Sequence, residues 1–386
     1  MDVFIFNLQR YIIIFLFYFI GSQKAFKSIN SDKQYFKALL LPIFLYSFFE
    51  GTRWMRGADY EYNYNIANGI QTSNDIAYDS LAQILNYIGF PYWVFFILIS
   101  FLLIYSLTFL CKEFKSAFVP CIILLYAFTM NQSENLMRQY TAISCMLLSF
   151  TLYFEEKYKW SIIWIVIAYL CHSSVIFILP FFLLFRLIIC KDNLRNKILK
   201  YLPVVFLLLY LSSSILKTYF YDVLQNITIT NSLFATKYLS EEYYLKATDD
   251  TLAVAVENSS FLDTIRSYWK SIVVILSSYF IFKKGIFNNK NIMLFVIYSI
   301  SCCGYIYEAS LPNLTMEVIG RLGLYLYIFS WFFEGYVIYY FLNKNNIIDT
   351  RCKVMRFLVV CLIIMESVWI LKPQTAGTHG YLFIWS

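Results

Sequence analysis

Long apolar runs separated by short polar ones recur along the whole chain. Twelve read as spans: Phe4–Ile20, Tyr35–Phe49, Tyr92–Leu110, Ala117–Met130, Leu136–Phe154, Trp160–Cys171, Val175–Ile189, Ile198–Leu216, Trp269–Phe282, Ile292–Tyr307, Val318–Phe341 and Val354–Leu371. Runs approaching about 20 residues match the thickness of a bilayer, and in lipid each span must satisfy its own backbone as a helix. The sixth and seventh are separated only by His172-Ser173-Ser174. Strand-period alternation is absent, which argues against a β-barrel. The pattern predicts an all-α, polytopic integral membrane protein with about 12 transmembrane helices. No internal repeat or linker divides it, so residues 1–386 read as a single transmembrane domain.

Composition agrees with that reading. The 386 residues are 60% hydrophobic, 21% aromatic and 14% charged, against about 25% charged in an ordinary soluble domain. The nine cysteines fall mostly in apolar runs and form no Cys-x-x-Cys pair, so they read as small buried hydrophobes. The N-terminus is not an ordinary signal peptide: Arg10 interrupts the apolar stretch and no small-residue cleavage site follows.

Charge then sets the orientation. Alternate connections carry Lys24, Lys27, Lys33 and Lys37; Lys112 and Lys115; Lys157 and Lys159; Arg186, Lys191, Arg195, Lys197 and Lys200; Lys283, Lys284 and Lys290; and Lys344, Arg351, Lys353 and Arg356. These are about two-thirds of the 31 basic residues, and few acids accompany them. The positive-inside rule makes them cytoplasmic and places both termini outside. Glu50–Pro91 and Lys217–Tyr268 then become long periplasmic loops, longer than a connection needs, and structureless loops of that length are usually functional.

Several chemistries drop out. His172 and His379 are the only histidines, and no His-Glu-x-x-His or phosphate-cradling glycine motif occurs, so a His-based metal centre and a phosphate-cradling loop are not expected and no cofactor is assigned; an acidic metal cluster in the long outer loop stays open. The acidic pairs Glu241-Glu242 and Asp249-Asp250 read as a solvated loop. Three arginines stand out. Arg138 follows Ser133-Glu134, Arg266 follows Asp263-Thr264, and Arg321 follows Glu317, each pattern reading as the outer start of a helix. A cation there opposes the helix dipole by about 0.3–1 kcal/mol. Together with the helix terminus, however, a guanidinium suits an external anion such as phosphate. Arg53 and Arg56 follow the end of a span, where a cation is favourable anyway. Glu334 and Glu366 lie inside spans, as relay groups or as partners of basic residues. His172, in a tight outer hairpin, is a candidate proton acceptor or a helix cap.

The outer stretch Arg53-Trp54-Met55-Arg56-Gly57-Ala58-Asp59-Tyr60-Glu61-Tyr62-Asn63-Tyr64 resembles the Arg…Gly-x-Asp-Tyr…Tyr segment of the EpsG-type and other Wzy-like bacterial O-antigen or exopolysaccharide polymerases. Met137-Arg138-Gln139-Tyr140-Thr141-Ala142 resembles their Arg-Gln-x-x-Ala helix start. Ala168–Ser174 resembles their Ala-x-x-x-His-x-Ser turn, and Gly320-Arg321 a late arginine motif. One departure is the family's Tyr four residues after the Asp, where this chain has Asn63. The resemblance implies a GT-C-like glycosyltransferase in the bacterial inner membrane. It would join undecaprenyl-diphosphate-linked oligosaccharide repeats at the periplasmic face without metal, alone or with a chain-length regulator protein. Nucleic acid has no place in that chemistry. His172 and Asp59 become candidate bases, and Arg138, Arg266, Arg321, Arg53 and Arg56 candidate pyrophosphate ligands. The alternatives are an O-antigen ligase-like transferase and a lipid-linked oligosaccharide flippase. A flippase should show symmetric halves and charges along a path, whereas the unusual charges here gather on one side.

Overall fold

A computed structural model describes residues 2–54, 56, 59–190, 192–213, 261–282, 289–310, 317–343, 350–371 and 382–383. They are helical almost throughout. In chain order the helices are α1 (Asp2–Ser22), α2 (Lys24–Lys27), α3 (Asp32–Gly51), α4 (Tyr60–Ala67), α5 (Ile76–Ile88), α6 (Tyr92–Cys111), α7 (Phe118–Asn135), α8 (Met137–Phe154), α9 (Tyr158–Cys171), α10 (Leu179–Cys190), α11 (Asp192–Leu211), α12 (Phe261–Ile281), α13 (Asn289–Ser310), α14 (Glu317–Leu342) and α15 (Thr350–Leu371). The strands β1 (Arg53–Trp54) and β2 (Leu382–Phe383) pair antiparallel, Arg53 opposite Phe383 and Trp54 opposite Leu382.

As far as they are described, the apolar spans expected from the sequence fall on helices, the seventh on the 3-10 turn Ser173–Ile178 and α10, and the eighth on α11 up to Leu211. Among the described residues, five stretches are long and apolar enough to cross a membrane: Phe4–Ser22, Tyr92–Met130, Lys290–Ser310, Arg321–Leu342 and Thr350–Leu371. These helices turn large apolar side chains outward, among them Phe15 and Phe19 on α1 and Phe357, Ile364 and Val368 on α15. In water such faces would cost the protein its solubility; in lipid they are the required outer surface.

The described residues form two compact units. The first comprises residues 1–179 with 367–386. Here α3 and α8 pack on α6, α9 packs on α8, and α1 lies against α3 and α7. Small and polar residues take part in two of these contacts, as expected where lipid offers no hydrophobic drive between helices. Ser149 and Ser161 exchange hydroxyl-to-carbonyl hydrogen bonds of 2.8 Å between α8 and α9. At the end of α3, Gly51 lies so close to α6 that a Cβ would come within 2.6 Å of the Ile97 backbone. Gly51→Ala should therefore spread α3 from α6 and cost about 1–3 kcal/mol, as overpacking does, read as a lower melting temperature of the detergent-purified protein. At the other end, Lys112 is buried between Asp32 and Glu155, joining three segments that the charge pattern places on the cytoplasmic side.

The second unit comprises residues 180–366. There α13 packs on α14, with α11 and α12 alongside. Phe282, Phe295, Tyr298 and Phe333 form its aromatic core, with ring centroids 5.2–6.5 Å apart.

Three local expectations change. Glu50–Pro91 is not structureless, because it holds β1, α4 and α5. The signals for α5 lie in the sequence. Tyr78, Ala82 and Leu85 are spaced for one buried helical face, and Gly89 follows with φ +88°, the left-handed backbone that favours glycine at a helix end. Ser133 and Glu134 do not cap α8. They belong to the last turns of α7, where the Ser133 hydroxyl donates back to the Met130 carbonyl, and the break falls at Leu136. Nor does Arg266 open its helix: α12 is already helical from Phe261. Most of Lys217–Tyr268 lies outside the described residues, as do the pairs at 241–242 and 249–250 and His379.

Candidate functional site

The 50–91 segment is a built scaffold in the first unit. In the first turn of α5, the buried Asp79 carboxylate accepts the Ser73 amide at 2.9 Å, the Ser73 hydroxyl at 2.6 Å and the Asn74 amide at 3.0 Å. Asn74 takes a left-handed φ of 67° to complete this turn, a conformation asparagine tolerates better than most residues. The turn presents Asp75, whose carboxylate sits 2.8 Å from the Arg138 guanidinium. Tyr62 of α4 lays its ring 5.0 Å from the same guanidinium. Arg138 opens α8 as the sequence suggests, and its side chain remains 33% exposed.

Tyr78 links this corner to the rest of the unit, and sequence reasoning did not single it out. Its hydroxyl donates to Asn63 at 2.8 Å, and the ring lies within electrostatic reach of Arg138, Arg53, Asp79 and Cys171. Burial pushes its hydroxyl well above the usual range, so it acts as a hydrogen-bond donor and not as an acid. Tyr78 therefore bonds Asn63 and lies within electrostatic reach of Arg53, Arg138 and Cys171, residues far apart in sequence.

Arg53 and Arg56 lie deeper. Both are buried, and they share Glu50 and Glu134: Arg56 is 2.8 Å from Glu50 and 3.1 Å from Glu134, and Arg53 is 3.5 Å from Glu50. Arg53 also donates to the Glu134 carbonyl at 3.1 Å. Burial, the largest influence, pushes the Glu134 carboxyl up to about 7, while Arg56 draws it down. Removing one partner from such a set leaves a buried charge uncompensated, so these pairs hold the segment in place.

His172 is half-buried at the C-terminal cap of α9, with extended backbone at φ −164° and ψ 114°. Its amide donates to Ala168 and its carbonyl accepts Val175, so the backbone fixes the turn at both ends. Asp59 is the half-buried N-cap of α4, and its carbonyl accepts both the amide and the side chain of Asn63. Asn63, which departs from the Tyr expected at that position, thus bridges Asp59 to Tyr78.

Arg266 and Arg321 belong to the second unit. Arg266 makes a bidentate pair with Glu366 of α15, at 2.8 and 2.6 Å. Of the two sequence readings of Glu366, the partner of a basic residue is the one observed. Lys270, one turn further along α12, is buried over the Tyr305 ring at 5.7 Å. Glu334 is fully buried in α14, and neither carboxylate oxygen has a hydrogen-bond partner among the described residues. Arg321 is half-buried one turn into α14. Among the described residues no three His, Cys, Asp or Glu side chains gather as metal ligands do.

The helical architecture, the lipid-facing surface and the buried ionic sites define a polytopic membrane protein with polar centres built into its helices. The model of the EpsG family matches residues 36–382, nearly the whole chain, and the protein belongs to that family. No curated protein and no solved structure matches it. Membership makes it a membrane polysaccharide polymerase-like protein, a glycosyltransferase in the general sense.

Proposed function

We propose that the protein joins undecaprenyl-diphosphate-linked oligosaccharide repeats of a surface polysaccharide at the periplasmic face of a bacterial inner membrane, without metal, through about a dozen spans in a GT-C-like arrangement. The observations that support this most are the Tyr62 ring on the Arg138 guanidinium and the Asn63–Tyr78 hydrogen bond beside it, with Arg53, Arg138 and Cys171 in electrostatic reach of Tyr78. In the transfer, an acceptor sugar hydroxyl attacks the anomeric carbon of the donor chain. A new glycosidic bond forms, the bond to the lipid diphosphate breaks, and its electron pair leaves on the diphosphate. That developing charge needs preorganised cations. Arg138 offers the partly open guanidinium, backed by Arg53 and Arg56. Arg266 and Arg321 are the candidate pyrophosphate cations of the second unit. His172 takes the hydroxyl proton on its imidazole, and the carboxylate of Asp59 is the other candidate for that role.

Immunoblots of polysaccharide from a deletion strain test the reading. A polymerase defect leaves a single repeat on its acceptor. Complete loss of repeats would identify a flippase instead, and accumulation of free lipid-linked polymer a ligase.

A further inference from the structure

Helix α5 is apolar on two faces. Its inward face, with Tyr78, Ala82 and Leu85, is buried in the first unit. Its outward face repeats Ile76, Ile84, Tyr87 and Ile88 at helical spacing, all exposed, Tyr87 to 93%. Ser80 is the polar position between them, and no charged side chain stands on that face. A helix surrounded by water turns charged and polar residues outward instead. Exposed apolar surface gathered on one element marks a site of interaction.

The depth of α5 identifies what meets this face. Tyr78 sets its ring 5.0 Å from that of Phe95, and Tyr78, Ala82 and Leu85 share one cluster with Phe95, Phe96 and Ile99 of α6. Tyr92 opens α6 and is the first residue of an apolar stretch long enough to cross a membrane. At about 1.5 Å rise per residue, Ile99 stands about 10 Å along that span. The inward face of α5 therefore packs beside the first two turns of a membrane helix. Phe90 is exposed at the joint between the two helices, and α6 continues the outward apolar surface with Leu98 and Phe101. Tyr92 and Trp93, half-buried where the span begins, are the residue types favoured at a membrane–water boundary.

We propose that α5 is an interfacial helix: its outward face beds in the boundary between headgroups and acyl chains of the leaflet where α6 begins. Lipid is the partner because the face is apolar, uncharged and continuous with the lipid-facing surface of α6. The placement has a consequence for the candidate site. Asp75, the residue before α5, holds the Arg138 guanidinium at 2.8 Å, so the depth of α5 fixes Arg138 at headgroup level. That a lipid-borne diphosphate meets Arg138 there rests on the polymerase reading; the bedding of α5 does not.

The test places acridonylalanine, a fluorescent amino acid excited apart from tryptophan, in place of Tyr87 in the full chain, reconstituted in phosphatidylcholine nanodiscs. Nitroxide-labelled phosphatidylcholine is the lipid quencher and iodide the aqueous one. A nitroxide near the headgroup should quench roughly twofold more than one at the acyl end, because an interfacial helix buries its face only about 5–10 Å into the headgroup–acyl boundary. Iodide should quench weakly. Ile84→Asp with Ile88→Asp makes the face polar and leaves the buried side alone. Lipid quenching should then fall and iodide quenching rise, because binding scales with the apolar area buried. Iodide quenching as strong as that of the free amino acid overturns the proposal, and so does stronger quenching from the acyl end. Protection from both quenchers overturns it too: with a dimer on chemical crosslinking it gives the face to a second copy of the chain, and without one to another segment of the same chain. A double variant that keeps the parental quenching is equally fatal. None of these measurements involves turnover, so the proposal stands or falls apart from the polymer ladder that tests the polymerase reading.

Discussion

Arg138→Ala should reduce surface polysaccharide to single repeats while the protein stays at its normal level in the membrane. The guanidinium is one-third exposed, held at one edge by Asp75 at 2.8 Å and on one face by the Tyr62 ring. It is thus oriented yet accessible, as a group stabilising a departing diphosphate must be. Removing one preorganised donor of this kind costs about 10²–10³-fold in rate. The fold should tolerate the change, because Asp75 is itself partly exposed and can turn to water, and such ion pairs contribute about 1 kcal/mol or less. Arg138→Lys should recover little, since a point charge cannot reproduce the planar fork. Wild-type ladders from Arg138→Ala at matched expression would remove Arg138 from the site.

Arg53 and Arg56 carry a different expectation, although the sequence placed them in the same class. Each is buried against Glu50 and Glu134. Truncating Arg56 leaves the buried Glu134 carboxylate without its paired guanidinium, at about 3–5 kcal/mol, so loss of polymer would be mixed with loss of folded protein, whereas Arg53→Ala leaves both carboxylates on Arg56 and should cost less.

The helices were readable because lipid forces them: an apolar run of sufficient length has few other ways to satisfy its backbone. The order of elements and the membrane class follow from that constraint alone. What failed was local and polar. Ser133-Glu134 has the composition of a helix start, but α7 runs through it and the turn comes at Leu136, where no residue type announces it. The helices within 50–91 are short and their buried faces interleave Tyr, Asn and Asp with Ile66, Ala67, Ala82 and Leu85, so their periodicity is weaker than that of the spans. The unusual arginines were visible one at a time; their partners were not. Arg138 finds Asp75 across 63 positions and Arg266 finds Glu366 across 100, and a one-dimensional pattern carries no record of which charges meet. Tyr78 was missed for the same reason. It reads as one of 34 tyrosines in an aromatic-rich membrane chain, and only the folded unit brings it within electrostatic reach of Arg53, Arg138 and Cys171.

His172→Gln should leave almost no polymer. The turn that carries His172 is pinned at both ends, by its amide on Ala168 and its carbonyl on Val175, so a side chain there is presented in one place whatever its identity. Glutamine fits that turn and keeps hydrogen bonding, but it cannot take up a proton at neutral pH. Imidazole can, with an ordinary pKa of about 6.5. General-base catalysis contributes about 10²–10⁴-fold, and a polymerase slowed to that extent should build little beyond the first few linkages. A purely positional histidine behaves differently: Gln serves nearly as well, and Asp59, at the N-cap of α4 in the same unit, becomes the base. Asp59→Asn made in parallel decides between the two. Short ladders from His172→Gln beside near-normal ones from Asp59→Asn, at equal membrane levels of protein, assign the proton to His172. The reverse pattern transfers it to Asp59 and leaves His172 as the residue that ends α9.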